Sequence, residues 1–584
     1  MCADPMRSSS KLFYHGTRST SCDKIFPVKQ RVLVLTGSFL IDKKSTFRSV
    51  MIKQLTQWRS AKHLWLELKI KALIAENLIV GNLAKRTETN PDLREFFKFR
   101  INSETPDLTE VTLATLLRDA GVEYILATYD DLFSNRNKIE KALSECDTVF
   151  VSATYLKDLS ELLPVARSVK RPGNKVVVGG ALAGSLCHDW AGDPSIDVLA
   201  VGYGEYLVPV LAEAVKNNWK DLKAPARGRL IQKNHTVFLH SGVPETLSLD
   251  GLPSPDWKLS EKDNGRDYRM VYYESVRGCP YRCAFCNYPY LFDDKKFRSK
   301  SAARIFEDWK VYVNDMKVDY VTCLDSLFTM PKQRLVEFCN LLIENNLKVK
   351  WICYARADDL CDESTVEIMV RAGCIHAQIG IESGDQTILN NMSKRVEVEK
   401  NKRAIENCRK HGLTSVISLI VGFPGETDKT IQNTYEFLKE TRPDFYFLAV
   451  LSLRVPGVPI LTEENRTQHA IELLDNPFSI SPYWKHKTMD CLQATQMAGK
   501  LNDLIISERL SLDASVFFNE YLSYRPQLRE SLLDFQQRAW KKSFWVRGAF
   551  ALLYRLLDSF LRRDLRKIWP IKKMDFERPA DVAS

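Results

Sequence analysis

The sequence predicts an α/β protein with three parts: a doubly wound parallel-sheet domain, a partial (β/α)6 barrel and a helical C-terminal region. Buried apolar runs alternate with helical stretches in two separate series, which is typical of parallel sheets. A proline-containing segment, ETLSLDGLPSPDWKLS, separates the two series. In addition, 584 residues exceed what one ordinary hydrophobic core contains, so several domains are expected.

The first series contains five predicted strands, most of which end in small residues: RVLVLTGSF, VEYILAT, DTVFVSATY, NKVVVGG and IDVLAVGYG. In a doubly wound sheet, ligands bind beyond the carboxyl ends of the strands. The small residues at these ends are Gly37, Ser152, Gly180, Gly202 and Gly204. The glycines indicate either a large ligand that approaches the backbone closely or simply tight turns. A helix-rich stretch from about Phe47 to Phe97 is interpreted as an insertion in this domain.

The second series contains six predicted strands: VYYESVRG, VDYVTCLD, VKWICYARAD, CIHAQIGIES, SVISLIVGF and DFYFLAVLSL. Helical stretches separate most of them, which predicts a partial barrel with its active site at the carboxyl ends of the strands. Beyond about residue 465 the pattern becomes helical and polar. The predicted parts are an N-terminal extension (1–27), a first domain (28–225), a linker (226–265), a barrel (266–465) and a helical C-terminal region (466–584).

The composition predicts a cytoplasmic protein without a membrane-spanning helix. The N-terminus lacks the apolar core of a signal peptide, and no run of about 18 uncharged apolar residues occurs. The 14 cysteines are therefore expected to be thiols or metal ligands rather than a disulfide framework. The net charge of +10 is mild for this length, and we expect no nucleic-acid partner.

Much of the positive charge lies near the C-terminus, in SFWVRGAFALLYRLLDSFLRRDLRKIW, where basic residues accompany an apolar stripe. Such a helix either docks on the barrel with a solvated basic face, or makes peripheral contact with a membrane surface or an acidic peptide. Upstream, His486 in YWKHKTMD lies among aromatic and basic residues. It is either a substrate contact or a structural histidine.

Three cysteines, Cys279, Cys283 and Cys286, stand together in GCPYRCAFCNYP. Thiolates from one short loop can converge on an iron–sulfur cluster, and three ligands leave one of four irons open for a substrate. A zinc site would need a fourth Cys or His at comparable spacing, and none follows closely. A redox Cys-x-x-Cys would leave the third cysteine idle. The triplet therefore predicts a [4Fe–4S] cluster.

This CxxxCxxC motif, with an aromatic residue before its last cysteine, resembles the radical S-adenosylmethionine (SAM) superfamily. The resemblance extends to LDSLFTMP, YARADDL, IGIESGDQTILNNMSK and SLIVGFPGET, which are similar to the ends of the second to fifth barrel strands. It implies that SAM binds the open iron, and that one-electron reduction by a flavodoxin or ferredoxin type of protein releases a 5′-deoxyadenosyl radical. The implied SAM contacts are Phe285, Asp325, Arg356, Glu382, Ser383, Gly422, Phe423 and Pro424. RVPGVPI has Val458 where the family often has Thr, and no contact is assigned there.

Strand periodicity adds an expectation that is independent of this resemblance. If Glu382 and Arg356 point into the barrel, alternation places further residues on the same inward face, namely His376, Gln378, Gly380 and Tyr354. Polar side chains on that face suit an open barrel that holds a polar cofactor. His376 is alternatively a satisfied core histidine. Three more cysteines are small buried hydrophobes, site residues or ligands of a second cluster: Cys323, Cys353 and Cys374.

The first series in turn resembles the cobalamin-binding domain that precedes many radical SAM barrels, over roughly residues 28–225. The order helix–DAG–strand, D-x-V-x-V-S, strand–GG and IDVLAVGYGE carries this resemblance. No Asp-x-His-x-x-Gly segment is present, which implies cobalamin without a histidine below cobalt. The implied cobalamin contacts are Gly37, Ser38, Ser152, Thr154, Gly179, Gly180, Gly202, Gly204 and Glu205.

Together the two resemblances imply a cobalamin-dependent radical SAM methyltransferase. Its substrate would be a secondary metabolite or a peptide, methylated on an unactivated carbon or on phosphorus through a 5′-deoxyadenosyl radical and methylcobalamin. Two alternatives stay open. One keeps both cofactors but catalyses a cyclisation, ring contraction or rearrangement without methyl transfer. The other is an iron–sulfur scaffold or binding protein without turnover.

Overall fold

The computed structural model describes residues 30–37, 84–99, 105–129, 131–156, 159–186, 190–259, 269–290, 296–453, 458–474 and 482–542, and a few more up to 556. The N-terminal extension, Ser38, most of the helix-rich stretch 47–97 and nearly all of the basic C-terminal stretch lie outside these residues. The described chain forms two seven-stranded sheets, each flanked by helices.

The first sheet consists of Arg31–Thr36 (β1), Glu123–Thr128 (β2), Thr148–Ser152 (β3), Lys175–Gly179 (β4), Val198–Val201 (β5), Arg229–Lys233 (β6) and Thr236–His240 (β7). The strand order is β2-β1-β3-β4-β5-β7-β6. All neighbours pair in parallel except β6 and β7. The described helices up to the end of this sheet are Ala84–Arg86 (α1), Pro91–Lys98 (α2), Leu108–Asp119 (α3), Asp131–Ser134 (α4), Arg136–Glu145 (α5), Leu159–Val169 (α6), Ala181–Leu186 (α7) and Gly204–Lys216 (α8).

Helices cover both faces of this sheet. In β1, Leu33 packs in one core with Ile139 of α5 and Val165 of α6. The neighbouring Val34 packs in the opposite core with Leu211 of α8. Successive residues of a strand point to opposite faces, so a strand that is apolar throughout must be buried on both sides. The predicted doubly wound fold is confirmed.

The hairpin β6–β7 differs from the prediction, because residues 226–265 were interpreted as a linker. Asn234 has a φ of 55° in the turn between the two strands, a conformation that suits a tight hairpin. The hairpin adds β7 to β5 and leaves β6 as an exposed edge strand. We therefore propose that the first domain extends to residue 240. The short apolar run in TVFLH, which follows the turn residue Asn234, was the signal available in the sequence.

The second sheet consists of Met270–Tyr273 (β8), Tyr320–Cys323 (β11), Lys350–Ala355 (β12), Cys374–Glu382 (β13), Thr414–Val421 (β14), Phe445–Val450 (β15) and Leu512–Asp513 (β18). Two short antiparallel pairs accompany it: Val276–Arg277 (β9) with Arg298–Ser299 (β10), and Glu472–Leu474 (β16) with Tyr483–Lys485 (β17). Its order is β18-β15-β14-β13-β12-β11-β8, and all neighbours are parallel. The six predicted strands are present, and the C-terminal region adds β18.

The helices of the second unit are Ala302–Met316 (α9), Lys332–Glu344 (α10), Ala357–Leu360 (α11), Glu363–Arg371 (α12), Gln386–Asn391 (α13), Val398–His411 (α14), Asp428–Thr441 (α15), Glu463–His469 (α16), Cys491–Ser507 (α17) and Arg529–Lys542 (α18). Trp309, Phe338 and Trp351 form the centre of the core between helices and strands. No helix among the described residues is both long and apolar enough to cross a membrane.

Helix α2 packs on the C-terminal region and not on the first sheet. Phe97 stacks against Phe517 and contacts Phe535 of α18, with ring centroids 6.4 and 4.8 Å apart. Lys85 donates to Glu520 at 2.9 Å. The prediction that the whole stretch up to Phe97 is an insertion of the first domain is therefore not met at α2, because its phenylalanines find their apolar partners in the C-terminal region.

Candidate functional site

The three cysteines of the triplet lie on the loop that follows β9. Cys283 is buried, Cys279 and Cys286 are half-buried, and none of them forms a disulfide. Backbone hydrogen bonds hold the middle of the loop, since Ala284 donates to Met392 at 2.8 Å and accepts from Ile460 at 3.0 Å. The loop is thus fixed against two distant segments while its thiols remain available as ligands.

The residues present fit an iron–sulfur cluster better than a single metal ion. Among the described residues, no group of three or more His, Cys, Asp or Glu side chains has the spacing of a single-ion site. A cluster does not need that spacing, because each thiolate binds a different iron. Burial raises the pKa of Cys286 to about 11, so this thiol would lose its proton only when a metal binds.

Arg356, predicted to contact SAM, lies directly beside the cysteine loop. Its guanidinium covers the ring of Tyr281 at 3.8 Å, and Nη1 is 4.0 Å from the Sγ of Cys283. It also donates to Asp358 at 3.0 Å and to the carbonyl of Lys394 at 2.7 Å. This positive charge stabilises thiolate ligands and holds three segments of the site together.

Glu382, the second charged candidate, forms a buried ion pair with Lys394 at 2.8 Å. Its φ of 67° is unusual for a residue with a side chain, and the pairing of β13 with β14 shifts register there. Such strained conformations are typical of functional sites. The Lys394 ammonium lies 5.7 Å from the centre of the Phe285 ring, and Phe285 contacts Phe423 edge to face. The structure therefore brings Phe285, Glu382 and Phe423 together, and sequence reasoning missed Lys394.

Asp325 and Ser383 are bound mainly to the protein itself. The Asp325 carboxylate accepts from the backbone N–H groups of Ser275 and Val276 at 2.6 and 2.7 Å, and from the Ser275 hydroxyl at 2.6 Å. These bonds leave about one of its four lone-pair sites for SAM. Ser383 contacts the Thr434 hydroxyl at 3.3 Å. Both residues therefore position strand ends, and their contact with SAM stays a prediction.

The segment Gly422–Pro424 ends β14, and its backbone is also satisfied within the protein. The Gly422 N–H donates to the carboxyl group of Glu426, and the Pro424 carbonyl accepts from Asn391 at 3.0 Å. Burial raises the pKa of Glu426 to about 7. Glu426 shapes this turn and was not singled out from the sequence. Adenine contact through this backbone stays a prediction.

His486 has the contacts of a structural histidine. Its Nε2 lies 3.1 Å from the Gly422 carbonyl, its Nδ1 accepts from the Thr488 backbone at 3.3 Å, and its ring stacks on Trp484. Burial lowers the pKa of His486 to about 4, so the ring is neutral near pH 7. The structure favours this interpretation over the predicted alternative of a substrate contact.

The buried cysteines and His376 lie away from the triplet. Cys323, Cys353 and Cys374 pack in the hydrophobic core between the barrel strands and helices. That location favours the interpretation as small buried hydrophobes over a second cluster. His376 is almost fully buried, and neither ring nitrogen has a hydrogen-bond partner in the described part of the chain. His376 therefore has the burial of a core histidine, but no described residue satisfies its ring nitrogens.

A cavity of about 290 Å³ separates the ends of the first sheet from the beginning of the barrel. Most of the predicted cobalamin contacts line it: Ser152, Thr154, Gly179, Gly180, Gly202, Gly204 and Glu205. From the barrel side, Arg277 and Gly278, next to Cys279, line the same cavity. Gly37 is not among the lining residues, and its N–H donates to Asp107 at 3.1 Å.

The sequence offered two explanations for the glycines at the strand ends, a large ligand close to the backbone or tight turns. The surroundings of each glycine in this cavity show which explanation fits it. Gly180 and Gly202 have φ values of 98° and 109°, and a Cβ on either would clash with Thr154 or Ser241. Packing within the protein thus explains both. Gly204 differs, because a Cβ there would have nothing within 4 Å. The open space at the start of α8 fits the close approach of a large group.

Glu205 is tied to the barrel by a buried ion pair across the cavity. Arg277 donates to both of its carboxylate oxygens, at 2.6 and 3.0 Å, and also to Glu274 at 2.8 Å. The guanidinium lies 4.9 Å from the centre of the Tyr203 ring. Although burial alone would raise the pKa of Glu205, the charge and hydrogen bonds of Arg277 hold it below its ordinary value. The predicted cobalamin contact of Glu205 therefore competes with Arg277, a residue that sequence reasoning missed although it precedes Gly278 and Cys279.

Comparison with known proteins identifies the barrel. The sequence model of the radical SAM superfamily matches residues 273–438. An uncharacterized methyltransferase of Pyrococcus horikoshii is 26% identical over 363 residues, which are 61% of this chain and 78% of that protein. The anaerobic magnesium-protoporphyrin IX monomethyl ester cyclase of Rubrivivax gelatinosus is 28% identical over 258 residues, 43% of this chain and 46% of the cyclase.

A solved structure matches the arrangement of both sheets. The radical SAM methyltransferase TsrM of Kitasatospora setae, solved with cobalamin and a [4Fe–4S] cluster bound, superposes with a TM-score of 0.56 at 13% identity. The match covers 74% of this chain and 96% of TsrM. At this identity the likeness concerns the fold. Residues 273–438 therefore form a radical SAM domain, and the described chain as a whole has a fold similar to that of TsrM.

Proposed function

We propose that this protein is a cobalamin-dependent radical SAM methyltransferase that acts on an unactivated carbon, or on phosphorus, of a secondary metabolite or peptide. One observation carries the proposal. The cavity between the two sheets is lined on one side by glycine-rich strand ends and on the other by the residues that lead into the cysteine triplet. Two large cofactors could therefore face one substrate from opposite sides.

In this proposal the chain's own residues bind and orient. Cys279, Cys283 and Cys286 would hold the cluster, and Arg356 would offset the negative charge of its ligands. The Glu382–Lys394 pair would direct a fixed carboxylate toward SAM. The open space at Gly204 would receive cobalamin. When bound, the cluster would supply the electron that cleaves SAM, and cobalamin would supply the methyl group.

A second candidate keeps both cofactors but transfers no methyl group. The similarity to the magnesium-protoporphyrin IX monomethyl ester cyclase of Rubrivivax gelatinosus favours it, because that protein is named for a ring closure. The cysteine loop and the cavity serve either reaction, so only the product distinguishes them.

The test uses full-length protein reconstituted without oxygen with iron, sulfide and hydroxocobalamin, and reduced by flavodoxin. Extracts that contain candidate metabolites are added with SAM, and products are identified by mass spectrometry. Methyl transfer predicts S-adenosylhomocysteine and 5′-deoxyadenosine in equal amounts, and a product heavier by one CH2 unit. 5′-Deoxyadenosine without S-adenosylhomocysteine would favour the cyclase-type reaction. The absence of both would favour a scaffold protein and contradict the proposal.

A further inference from the structure

Four tyrosines from distant parts of the chain meet at the interior of the barrel. Tyr155 follows β3 and lines the cavity between the sheets. Tyr272 in β8 and Tyr354 in β12 alternate with Tyr273 and Cys353, which pack in the outer core, so the two tyrosines face inward. Tyr521 comes from the C-terminal region. Tyr272 and Tyr521 both pack on the small cluster of Met270, Ile352 and Leu522 at the base of the barrel.

The phenol groups lie near one another, since Tyr272 and Tyr521 pack on one cluster with Ile352, which shares its strand face with Tyr354. A negative charge on Tyr272 or Tyr354 would raise the pKa of Tyr155 and that of Tyr521. A negative charge on Tyr354 would likewise raise the pKa of Tyr272. Each hydroxyl group therefore lies within electrostatic range of at least two others. All four residues keep part of their surface exposed, and Tyr354 is 38% exposed although it lies in the middle of a parallel sheet.

None of these four hydroxyl groups forms a hydrogen bond with a described residue. The tyrosines outside the barrel behave differently. Tyr273 donates to Asp308 at 2.6 Å, Tyr446 donates to Asn502 at 2.6 Å, and Tyr435 donates to Glu508 at 2.5 Å. Sheltered tyrosine hydroxyls ordinarily find a partner in the protein. The inward-facing set thus presents four neutral donors to something that enters the barrel.

A second group at the base of the barrel also lacks a partner. The His376 ring lies 5.3 Å from the ring of Tyr521, and neither of its nitrogens bonds to any described residue. Burial lowers the pKa of His376 to about 3, so this ring is neutral as well.

The charges around this space are already paired. Arg277 binds Glu205, Arg356 binds Asp358, and Lys394 binds Glu382. Among the described residues that line the cavity between the two sheets, where Tyr155 lies, no lysine or arginine is left without a carboxylate. An anion that entered would find neutral donors but no free cation, so its desolvation would be only partly offset.

Asp107, which accepts a hydrogen bond from the Gly37 N–H, adds to this effect. It lies within electrostatic range of Tyr155 and Tyr272. Burial raises the pKa of Asp107 to about 6, so near pH 7 the carboxyl group is largely ionised and would repel an anion.

We propose that Tyr155, Tyr272, Tyr354 and Tyr521 form the substrate chamber. It takes an uncharged, mainly apolar or aromatic molecule that carries hydroxyl, carbonyl or amide groups. This inference rests on the proposed function, because it places the substrate between the two cofactor sites. The four rings supply apolar surface, and their hydroxyl groups select for hydrogen-bonding oxygen or nitrogen atoms.

The test uses two probes that share one aromatic body, 1-pyrenebutanol and the anionic 1-pyrenebutyrate. Their dissociation constants are measured by equilibrium dialysis against the full chain that carries its cluster and hydroxocobalamin, without SAM. We expect 1-pyrenebutanol to bind at least about tenfold more tightly than 1-pyrenebutyrate, because only the anion loses hydration of a charge that the chamber does not pair.

Two variants locate the binding. The double variant Tyr272→Phe/Tyr354→Phe removes only hydroxyl groups and should weaken 1-pyrenebutanol binding about threefold to tenfold. Tyr435→Phe, outside the barrel, is the matched control and should bind like the wild type. Gln378 pairs directly with Tyr354 across β12 and β13. Gln378→Lys places a cation in the chamber and should shift the preference toward 1-pyrenebutyrate.

Any one of three results would overturn the chamber. The two probes could bind with equal affinity, 1-pyrenebutanol could fail to bind, or the double variant could keep wild-type affinity for 1-pyrenebutanol with full cluster and cobalamin content. These outcomes are independent of turnover. A protein that methylates a product but does not distinguish the probes would contradict the chamber and leave the proposed function standing. If the probes bind as expected but the protein never cleaves SAM, the chamber would stand and the proposed function would be contradicted.

Discussion

The two sides of the central cavity are built in opposite ways. On the barrel side, charged side chains form fixed ion pairs, such as Lys394 with Glu382. Backbone hydrogen bonds hold the cysteine loop in place. On the side of the first sheet, small residues end the strands, and Gly204 leaves open space. The barrel side thus provides preorganised charge, whereas the first sheet provides room for a large cofactor.

The proposed cofactors give this contrast a physical reason. An iron–sulfur cluster and SAM are compact and charged, so they need ligands and counter-charges at fixed positions. The proposed cobalamin has a broad surface, and a large side chain in place of Gly204 would obstruct its approach. Arg277 is the exception that joins the two sides, because it precedes the cysteine loop and binds Glu205 at the start of α8.

The largest expected effect is that of Cys283→Ser. The serine hydroxyl does not replace a thiolate ligand, so cluster iron should fall to background and SAM cleavage should be lost. Iron analysis and 5′-deoxyadenosine measurement check this expectation. Cys491→Ser, on a half-buried cysteine of α17, is the control. Full iron content in Cys283→Ser would contradict the assignment of the cluster.

Arg277→Met tests the connection between the two sides. It leaves the carboxylates of Glu205 and Glu274 without their counter-charge, and breaking a buried ion pair costs about 3–5 kcal/mol. The thermal unfolding temperature should fall, and hydrogen exchange should increase at the start of α8. The control is Arg371→Met, at an exposed position of α12. If exchange at α8 were unchanged, Arg277 would not hold the two sides together.

Glu426→Gln tests how far the barrel side depends on buried charge. The pKa of Glu426 is raised from 4.5 to about 7, so the folded state binds its proton more tightly than the unfolded state. Its stabilising effect is therefore complete below pH 4.5 and is lost as the pH rises toward 7, by up to about 3 kcal/mol. Thermal unfolding between pH 4.5 and 8 should show a smaller decrease with rising pH in Glu426→Gln. Parallel curves for both proteins would argue against a protonated Glu426.

Gly204→Leu fills the open space on the side of the first sheet. Forcing a large side chain into a ligand's place costs about 1–3 kcal/mol, so hydroxocobalamin should bind about tenfold to a hundredfold more weakly while cluster iron stays unchanged. Equilibrium dialysis gives the dissociation constant. Gly499→Leu is the matched control. A Cβ at Gly499 also meets nothing within 4 Å, but this glycine lies in α17, away from the first sheet. Equal cobalamin affinity in both variants would place cobalamin elsewhere.

The features that the sequence predicted are local along the chain. The triplet of cysteines lies within eight residues, and a buried strand or a glycine at its end is visible in one short segment. The features it did not predict join distant residues. Arg277 and Glu205 are 72 positions apart, and α2 finds its partners in the C-terminal region. Periodicity indicates which face of an element is buried, but it does not identify the residue that packs against that face.

The central claim is that one cavity serves a cluster on the barrel side and cobalamin on the side of the first sheet. It can be tested by electron paramagnetic resonance of the reconstituted full-length protein with paramagnetic cobalt and reduced cluster. The account predicts that the two signals broaden each other, and that Cys283→Ser restores the narrow cobalt signal. Two independent signals in the wild-type protein, both at full intensity, would contradict it.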